Sequence, residues 1–129
     1  MSTCVRMYCP ILKPSMKSER SDRVYLEQIL DSVRKIRQFV SGMDQAAFMD
    51  DQKTQSAVIM QLALIGELAK RVSESTRKAI AVPWKEIAGF RDRAIHDYYQ
   101  IDLQVAWNTI ALDLDPLDTA LREYLAGQP

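Results

Sequence analysis

Apolar residues recur at steps of three and four along most of this chain, and that period constrains the fold more than any other feature. No convincing two-residue alternation and no hairpin turn accompany it. The period is that of one face of an α-helix, so the sequence predicts an all-α, up-and-down bundle of four to five helices. The three stripes are Tyr25, Ile29, Val33, Ile36, Val40; Val58, Leu62, Ile65, Ala69, Val72; and Leu103, Ala106, Ile110, Leu114, Leu117, Leu121, Tyr124.

Turn-forming residues between the stripes predict where the first two helices begin and end. Ser21 or Asp22 is suited to cap a first helix over 22–40, and Gly42 is expected to end it. The second helix is expected over 51–73.

The second half of the chain is expected to be more broken. Pro83 predicts the start of a short helical turn that reaches Ile87, and Gly89 is expected to break it before a helix over 91–99. Asp102 is suited to cap the last helix. Pro116 lies inside that helix and predicts a kink near residue 115.

Length and composition bound the kind of protein. The 129 residues fit one domain, which we expect over 18–126, and residues 1–17, with two prolines and no period, predict a flexible N-terminal extension. Charge is balanced at 17 basic and 17 acidic residues, so nucleic-acid binding would have to be local. The stretch 67–93 holds seven bases and four acids.

The cysteines and the absence of long apolar runs predict a cytoplasmic protein. Cys4 and Cys9 precede any helical pattern and lack the partners of a zinc site, so they are expected to be free thiols in a reducing compartment. No apolar run reaches transmembrane length, and no membrane contact is expected. Neither a metal nor another cofactor is expected.

One segment, Phe90-Arg91-Asp92-Arg93-Ala94-Ile95-His96-Asp97-Tyr98-Tyr99, concentrates the chemistry of the chain. It contains the single histidine of the sequence, five residues after Arg91. Histidine both takes and gives a proton near neutral pH, and arginine grips phosphate oxygens through a planar fork. This pair predicts phosphodiester chemistry.

Spacing on a helix separates these two residues. Five residues correspond to about 500°, so Arg91 and His96 would point roughly 140° apart. Either Arg91 lies at a frayed helix start and bends back, or two copies of the helix face each other across a two-fold axis. Arg91 and Tyr98 would nearly align, and Asp92, His96 and Tyr99 would form a neighbouring stripe, in which Asp92 could hold a ring nitrogen of His96.

The segment resembles the HepT-like branch of the HEPN ribonuclease toxins. Arg91, His96 and Tyr98 match the Arg-x4-His-x-Tyr signature of that family, and the stretches 22–26, 57–70 and 82–90 resemble its opening, its central helix and its lead-in to the motif. Many members carry Asn where this chain has Asp92. The resemblance covers roughly residues 16–125.

The resemblance implies a homodimer whose motifs face each other across a composite cleft, either alone or within a larger hetero-complex. RNA would be the substrate, cut without a metal by attack of its own 2′-hydroxyl. Arg91 and His96 would be catalytic; Asp92, Tyr98, Arg93 and Glu67 would support them. Glu67 is expected to pair with Arg91 or Arg93, or to face solvent.

The family also implies a partner and a form of regulation. HepT-like toxins accompany an MNT-type nucleotidyltransferase antitoxin, which would silence the toxin by transferring adenylate to Tyr98. Two alternatives remain open: a non-catalytic helical dimer that binds a nucleotide or the nucleotidyltransferase, and a structural bundle in which His96 has no chemical role. Tyr98 and Tyr99 could equally lie at the rim of the core.

Overall fold

The computed structural model describes residues 19–128, and the regular structure within that range is helical throughout. This confirms the all-α prediction. A 3-10 turn over Tyr98–Gln100 follows α5, and a π-helical turn over Thr109–Asp113 joins α6 to α7. The α-helices are α1 over Glu19–Phe39, α2 over Gln45–Met49, α3 over Gln52–Arg71, α4 over Glu74–Ala79, α5 over Trp84–His96, α6 over Leu103–Asn108 and α7 over Leu114–Ala126.

Helix α3 lies at the centre of the bundle. It packs against both α1 and α5, and α7 packs against α1. The predicted stripes supply most of the core, and side chains such as Ile29, Val58 and Leu121 are fully buried. Burial of a side chain of this size stabilises the fold by about 1.5–3 kcal/mol. Tyr25, Val40, Leu103, Ile110 and Tyr124 are partly buried against the same core.

Aspartates begin several of the helices. The carboxylates of Asp51 and Asp102 accept hydrogen bonds from the backbone amides of Thr54 and Gln104 at 3.1 and 2.9 Å, at the starts of α3 and α6. Asp44 caps α2 in the same way. Because α2 and α4 have only five and six residues, their sequences show too little periodicity for prediction.

The expected cap of the first helix is wrong. Helix α1 begins at Glu19, so Asp22 lies within its first turns rather than before it. The Asp22 side chain instead reaches across to the start of α4, where it accepts hydrogen bonds from the Ser73 amide at 3.0 Å and the Thr76 hydroxyl at 2.6 Å. Asp22 therefore holds α4 against α1. Gly42 does follow the helix and adopts a left-handed φ of 81°.

The expected break at Gly89 is also wrong. Helix α5 runs without interruption through Gly89 and ends at His96, three residues earlier than expected. Its buried residues, Phe90 and Ala94, anchor it to α3, and this packing outweighs the helix cost of about 1 kcal/mol for one glycine. Asp97, at φ −134° and ψ 45°, leaves helical geometry.

The predicted irregularity around Pro116 appears slightly earlier in the chain. Thr109–Asp113 forms a π-helical turn, and Pro116 lies in the first turn of α7. Proline has no amide hydrogen and its ring clashes with the carbonyl one turn earlier, so the helix widens just before it.

Some expectations concern residues outside the described range. The N-terminal extension over 1–17, with Cys4 and Cys9, is one of these, and the domain limits of 18–126 stay a prediction. Among the helices that the structure describes, none combines the length and apolarity needed to cross a membrane.

Candidate active site

Close packing between α3 and α5 positions the arginine of the motif. Gly66 of α3 is buried against α5: a Cβ atom added there would lie 2.7 Å from Arg91 Cβ and 2.8 Å from the Ile87 carbonyl oxygen. No side chain larger than hydrogen fits this crossing. The glycine therefore brings the two helix backbones together and sets the next residue, Glu67, beside Arg91.

Two carboxylates orient the Arg91 guanidinium. Arg91 Nε lies 3.0 Å from Glu67 Oε1, and Arg91 Nη1 lies 3.2 Å from Asp92 Oδ1. Glu67 also pairs with Arg71 of its own helix, and Asp92 pairs with Lys70 of α3. Of the two partners predicted for Glu67, the structure selects Arg91. Arg93 instead stacks over the Phe90 ring.

The hydrogen bonds at Asp92 set its charge. Those from Lys70 and Arg91 hold the pKa of the Asp92 carboxyl below its ordinary value, so it is ionised at neutral pH. Its hydrogen-bonded partners in the described chain are these cations rather than His96. The expected hydrogen bond between Asp92 and the histidine ring is not formed.

His96 lies in the last turn of α5 and is exposed to solvent. Arg91 is the eighth residue of the same unbroken helix, so it does not lie at a frayed start. This excludes the arrangement in which Arg91 bends back from a frayed helix start. Within one chain, the two side chains leave the helix about 140° apart.

Tyr98 reaches the site by a different route from the one expected. It lies in the 3-10 turn beyond α5, so helical periodicity does not align it with Arg91. Its hydroxyl is 3.0 Å from Ser56 Oγ of α3. This contact places the Tyr98 ring on the surface that also carries Arg91. Tyr99 is 98% exposed and packs edge-on against Tyr98, so it is neither part of a helical stripe nor of the core rim.

Arg91 and Tyr98 line one surface depression, which we call the α3–α5 groove. Most of the α3 side of this groove was not predicted from the sequence, although its residues follow a helical period next to the core stripe: Ser56, Met60, Ala63 and Glu67. Met60, Leu64 and Ile95 expose 58%, 42% and 55% of their surface in it. The groove is lined by Ser56, Ile59, Met60, Ala63, Leu64, Glu67, Arg71, Arg91, Ala94, Ile95 and Tyr98.

The site combines a guanidinium, an imidazole and a tyrosine hydroxyl on a helical scaffold. Between residues 19 and 128 no three His, Cys, Asp or Glu side chains cluster in a way that could hold a metal ion. Arg91, His96 and Tyr98 lie in and just beyond the last turns of one helix of the bundle.

Comparison with known proteins gives the family. The model of the ribonuclease HepT-like family matches residues 29–124, and the chain belongs to this family. A Thermococcus cleftensis protein named "Probable ribonuclease HepT" is 37% identical over 100 residues, which cover 77% of this chain and 91% of that protein. "Putative RNase TTE0752" of Caldanaerobacter subterraneus subsp. tengcongensis is 35% identical over 107 residues, 82% of this chain and 96% of the relative. No solved structure gives a significant match.

Proposed function

We propose that this chain is an endoribonuclease that cuts RNA without a metal, and that it is the toxin of a toxin–antitoxin pair. The observation that carries the proposal is the position of the Arg91 guanidinium, which pairs with Glu67 of α3 at 3.0 Å. Arg91 lies on α5, the same unbroken helix that presents His96 to solvent. The family and the relatives named as ribonucleases support the choice of RNA as substrate.

The proposed reaction uses a nucleophile that RNA itself carries. His96 accepts the proton of a ribose 2′-hydroxyl, whose oxygen attacks the adjacent phosphorus while the bond to the leaving 5′-oxygen breaks. The His96 imidazolium then gives a proton to the 5′-oxygen, which releases one strand with a 5′-hydroxyl and leaves the other strand ending in a 2′,3′-cyclic phosphate. Arg91 stabilises the negative charge that grows on the phosphoryl oxygens. Proton transfer by a positioned histidine contributes about 10²–10⁴-fold to such rates.

The active cleft is composite in this proposal. Because Arg91 and His96 leave one helix in different directions, two copies of α5 that face each other would bring both residue types to one phosphate. The exposed apolar side chains Met60, Leu64 and Ile95 supply a surface that a second copy would cover. Size-exclusion chromatography with light scattering tests this arrangement: a homodimer at micromolar concentration is expected, and a strict monomer contradicts it.

Adenylylation of Tyr98 by an MNT-type nucleotidyltransferase antitoxin is the proposed regulation. The Tyr98 hydroxyl lies in the same groove as Arg91, and the residue is 42% exposed. An attached adenylate would place a bulky anion where the RNA phosphate must bind, so charge and steric blockage both exclude the substrate.

Tyr99 provides the matched control for this modification, since it is adjacent and far more exposed. Mass spectrometry of protein co-expressed with the nucleotidyltransferase is expected to find adenylate on Tyr98, to lose it in Tyr98→Phe and to retain it in Tyr99→Phe. Adenylate on Tyr99 alone, or on neither tyrosine, contradicts the proposal.

Cellular RNA provides the direct test of the activity. Purified chain, verified as free of adenylate, is incubated with total RNA in EDTA beside His96→Ala and Arg91→Ala. Cleavage that persists in EDTA and disappears in both variants is expected. RNA that stays intact with the unmodified chain overturns the ribonuclease proposal and favours the non-catalytic helical dimer that binds a nucleotide or the nucleotidyltransferase.

A further inference from the structure

A second depression, the basic groove, lies between α4 and the exposed side of α5. Five cations and three acids line it, although the whole chain has no net charge. The cations are Lys70, Arg77, Lys78, Lys85 and Arg93. Two of the acids have cationic partners, because Asp92 binds Lys70 and Arg91, and Glu74 lies 4.0 Å from Lys78. Among the residues described, Arg77, Lys85 and Arg93 have no carboxylate partner within 4 Å.

The basic groove leads to the candidate active site. Lys85 and His96 are eleven residues apart on the unbroken α5, close to three full turns, so they lie on one side of the helix about 16 Å apart. Asp92 lines the groove between them and is bonded to Arg91. A chain that follows this side of α5 from Lys85 therefore arrives at the motif.

The floor and walls of the groove suit a polymer backbone. Ala88 and Gly89 also line the groove, and a Cβ atom added at Gly89 would meet only Arg93 Nη1, at 3.8 Å. The walls are held together by Trp84, whose indole Nε1 donates to the carbonyl oxygens of Arg77 and Ile80 at 3.0 Å. The cations of α4 and α5 thus lie on two helices that Trp84 joins.

We infer that the basic groove binds the phosphate backbone of single-stranded RNA on one side of the cut, with Lys85, Lys78 and Arg93 as its main contacts. The inference rests on the proposed ribonuclease function and adds to it the path of the substrate. The contacts are to phosphates, so they carry no sequence preference. They bind the corresponding single-stranded DNA as well, although DNA is not cut.

Neutralising the groove lysines tests this path. A Lys78→Gln/Lys85→Gln double variant is compared with Lys35→Gln. Like Lys78, Lys35 pairs with an acid four residues earlier, but Lys35 lies on α1, away from the groove. Binding of a labelled single-stranded RNA is measured against salt, in a His96→Ala background that prevents cutting. Removing one phosphate-binding charge lowers the salt slope by about 0.7 and the affinity roughly fivefold at 0.1 M salt. The slope of the double variant is therefore expected to fall by about 1.4, and that of Lys35→Gln to stay unchanged.

Cleavage kinetics separate this inference from the proposed function. With His96 intact, the double variant is expected to raise KM for a long RNA, whereas His96→Ala removes turnover. If the original chain cuts RNA and the double variant matches Lys35→Gln in salt slope and KM, the RNA path is wrong while the ribonuclease stands. That result would also be expected if the groove binds an acidic protein surface. A chain that neither binds nor cuts RNA overturns both proposals.

Discussion

Glu67 of α3 and Arg91 of α5 form an ion pair at 3.0 Å within the candidate site. The pair is about one-third exposed, and surface pairs of this kind contribute at most about 1 kcal/mol to folding. The role proposed for Glu67 is to fix the direction of the Arg91 guanidinium. It acts through Arg91 and is a positioning residue.

Glu67→Gln is therefore expected to affect activity more than stability. A poorly placed phosphate clamp typically costs about 10–100-fold in rate, so kcat for RNA cleavage should fall in that range while the melting temperature stays nearly unchanged. Glu27→Gln is the control, because Glu27 is an exposed acid that pairs with Arg23 on α1. Equal kcat values for the two variants would show that Arg91 needs no such support.

Asp22 predicts how stability depends on pH. Burial alone would raise its pKa, but hydrogen bonds from Ser73 and Thr76, with the charge of Arg77, hold the pKa below the ordinary value of 3.8. A lowered pKa in the folded state contributes stability above pH 3.8, and the contribution is lost as the pH falls through 3.8 towards the folded value.

The Asp22→Asn variant tests this dependence. It should lower the free energy of unfolding at pH 7 by about 1–3 kcal/mol, because buried hydroxyl donors lose their charged acceptor. The difference from the original chain should stay constant down to about pH 5 and shrink below about pH 4. Denaturant titrations at fixed protein concentration measure both. A difference that grows on acidification would contradict this role for Asp22.

At the scale of elements, the crossing of α3 and α5 is set by one glycine. Gly66→Ala would force a Cβ into the Ile87 carbonyl and Arg91 Cβ. The expected loss of stability is about 1–3 kcal/mol, with a fall in cleavage as Arg91 shifts from Glu67.

Gly89→Ala is the matched control for this crossing. Its new Cβ meets only Arg93 Nη1 at ordinary contact distance, so the helix should gain about 0.5–1 kcal/mol. Thermal melts compare the stability of the two variants. A destabilised Gly89→Ala together with an unchanged Gly66→Ala would refute the claim that Gly66 sets the crossing of α3 and α5.

These elements show what periodicity predicts and what it does not. The long stripes identified α1, α3 and the last helices, because burial of one face dictates the spacing of apolar residues. The break assigned to Gly89 failed, since helix propensity is weak beside the packing of Phe90 and Ala94 on α3.

The candidate site was predictable in part for the same reason. The residues of the motif come from one segment, so Arg91, His96 and Tyr98 were evident from the sequence. Ser56 lies 42 residues from Tyr98 along the chain, and only the tertiary fold brings the two hydroxyls together. The predicted alignment of Tyr98 with Arg91 assumed that the helix continues through Tyr98, whereas α5 ends at His96.

At the scale of the whole molecule, the proposed composite cleft predicts complementation between subunits. Arg91→Ala and His96→Ala each remove one residue type from both halves of a dimer. A mixed dimer retains one Arg91 and one His96, on opposite subunits. Mixing the two inactive variants under conditions that exchange subunits should restore part of the cleavage activity, measured on a labelled RNA. No recovery, with subunit exchange verified by mass spectrometry, would show that the two residues must come from one chain.

In the proposed reaction, His96 and Arg91 drive attack by the 2′-hydroxyl of the RNA itself. The most direct measurement uses two RNA oligonucleotides that differ only by one 2′-deoxy nucleotide at the cut site, each incubated with the adenylate-free chain in EDTA. We expect the all-ribose strand to be cut to a 2′,3′-cyclic phosphate, seen by mass spectrometry, and the deoxy position to stay intact. Cleavage at the deoxy position, or an unchanged rate in His96→Ala, would contradict it.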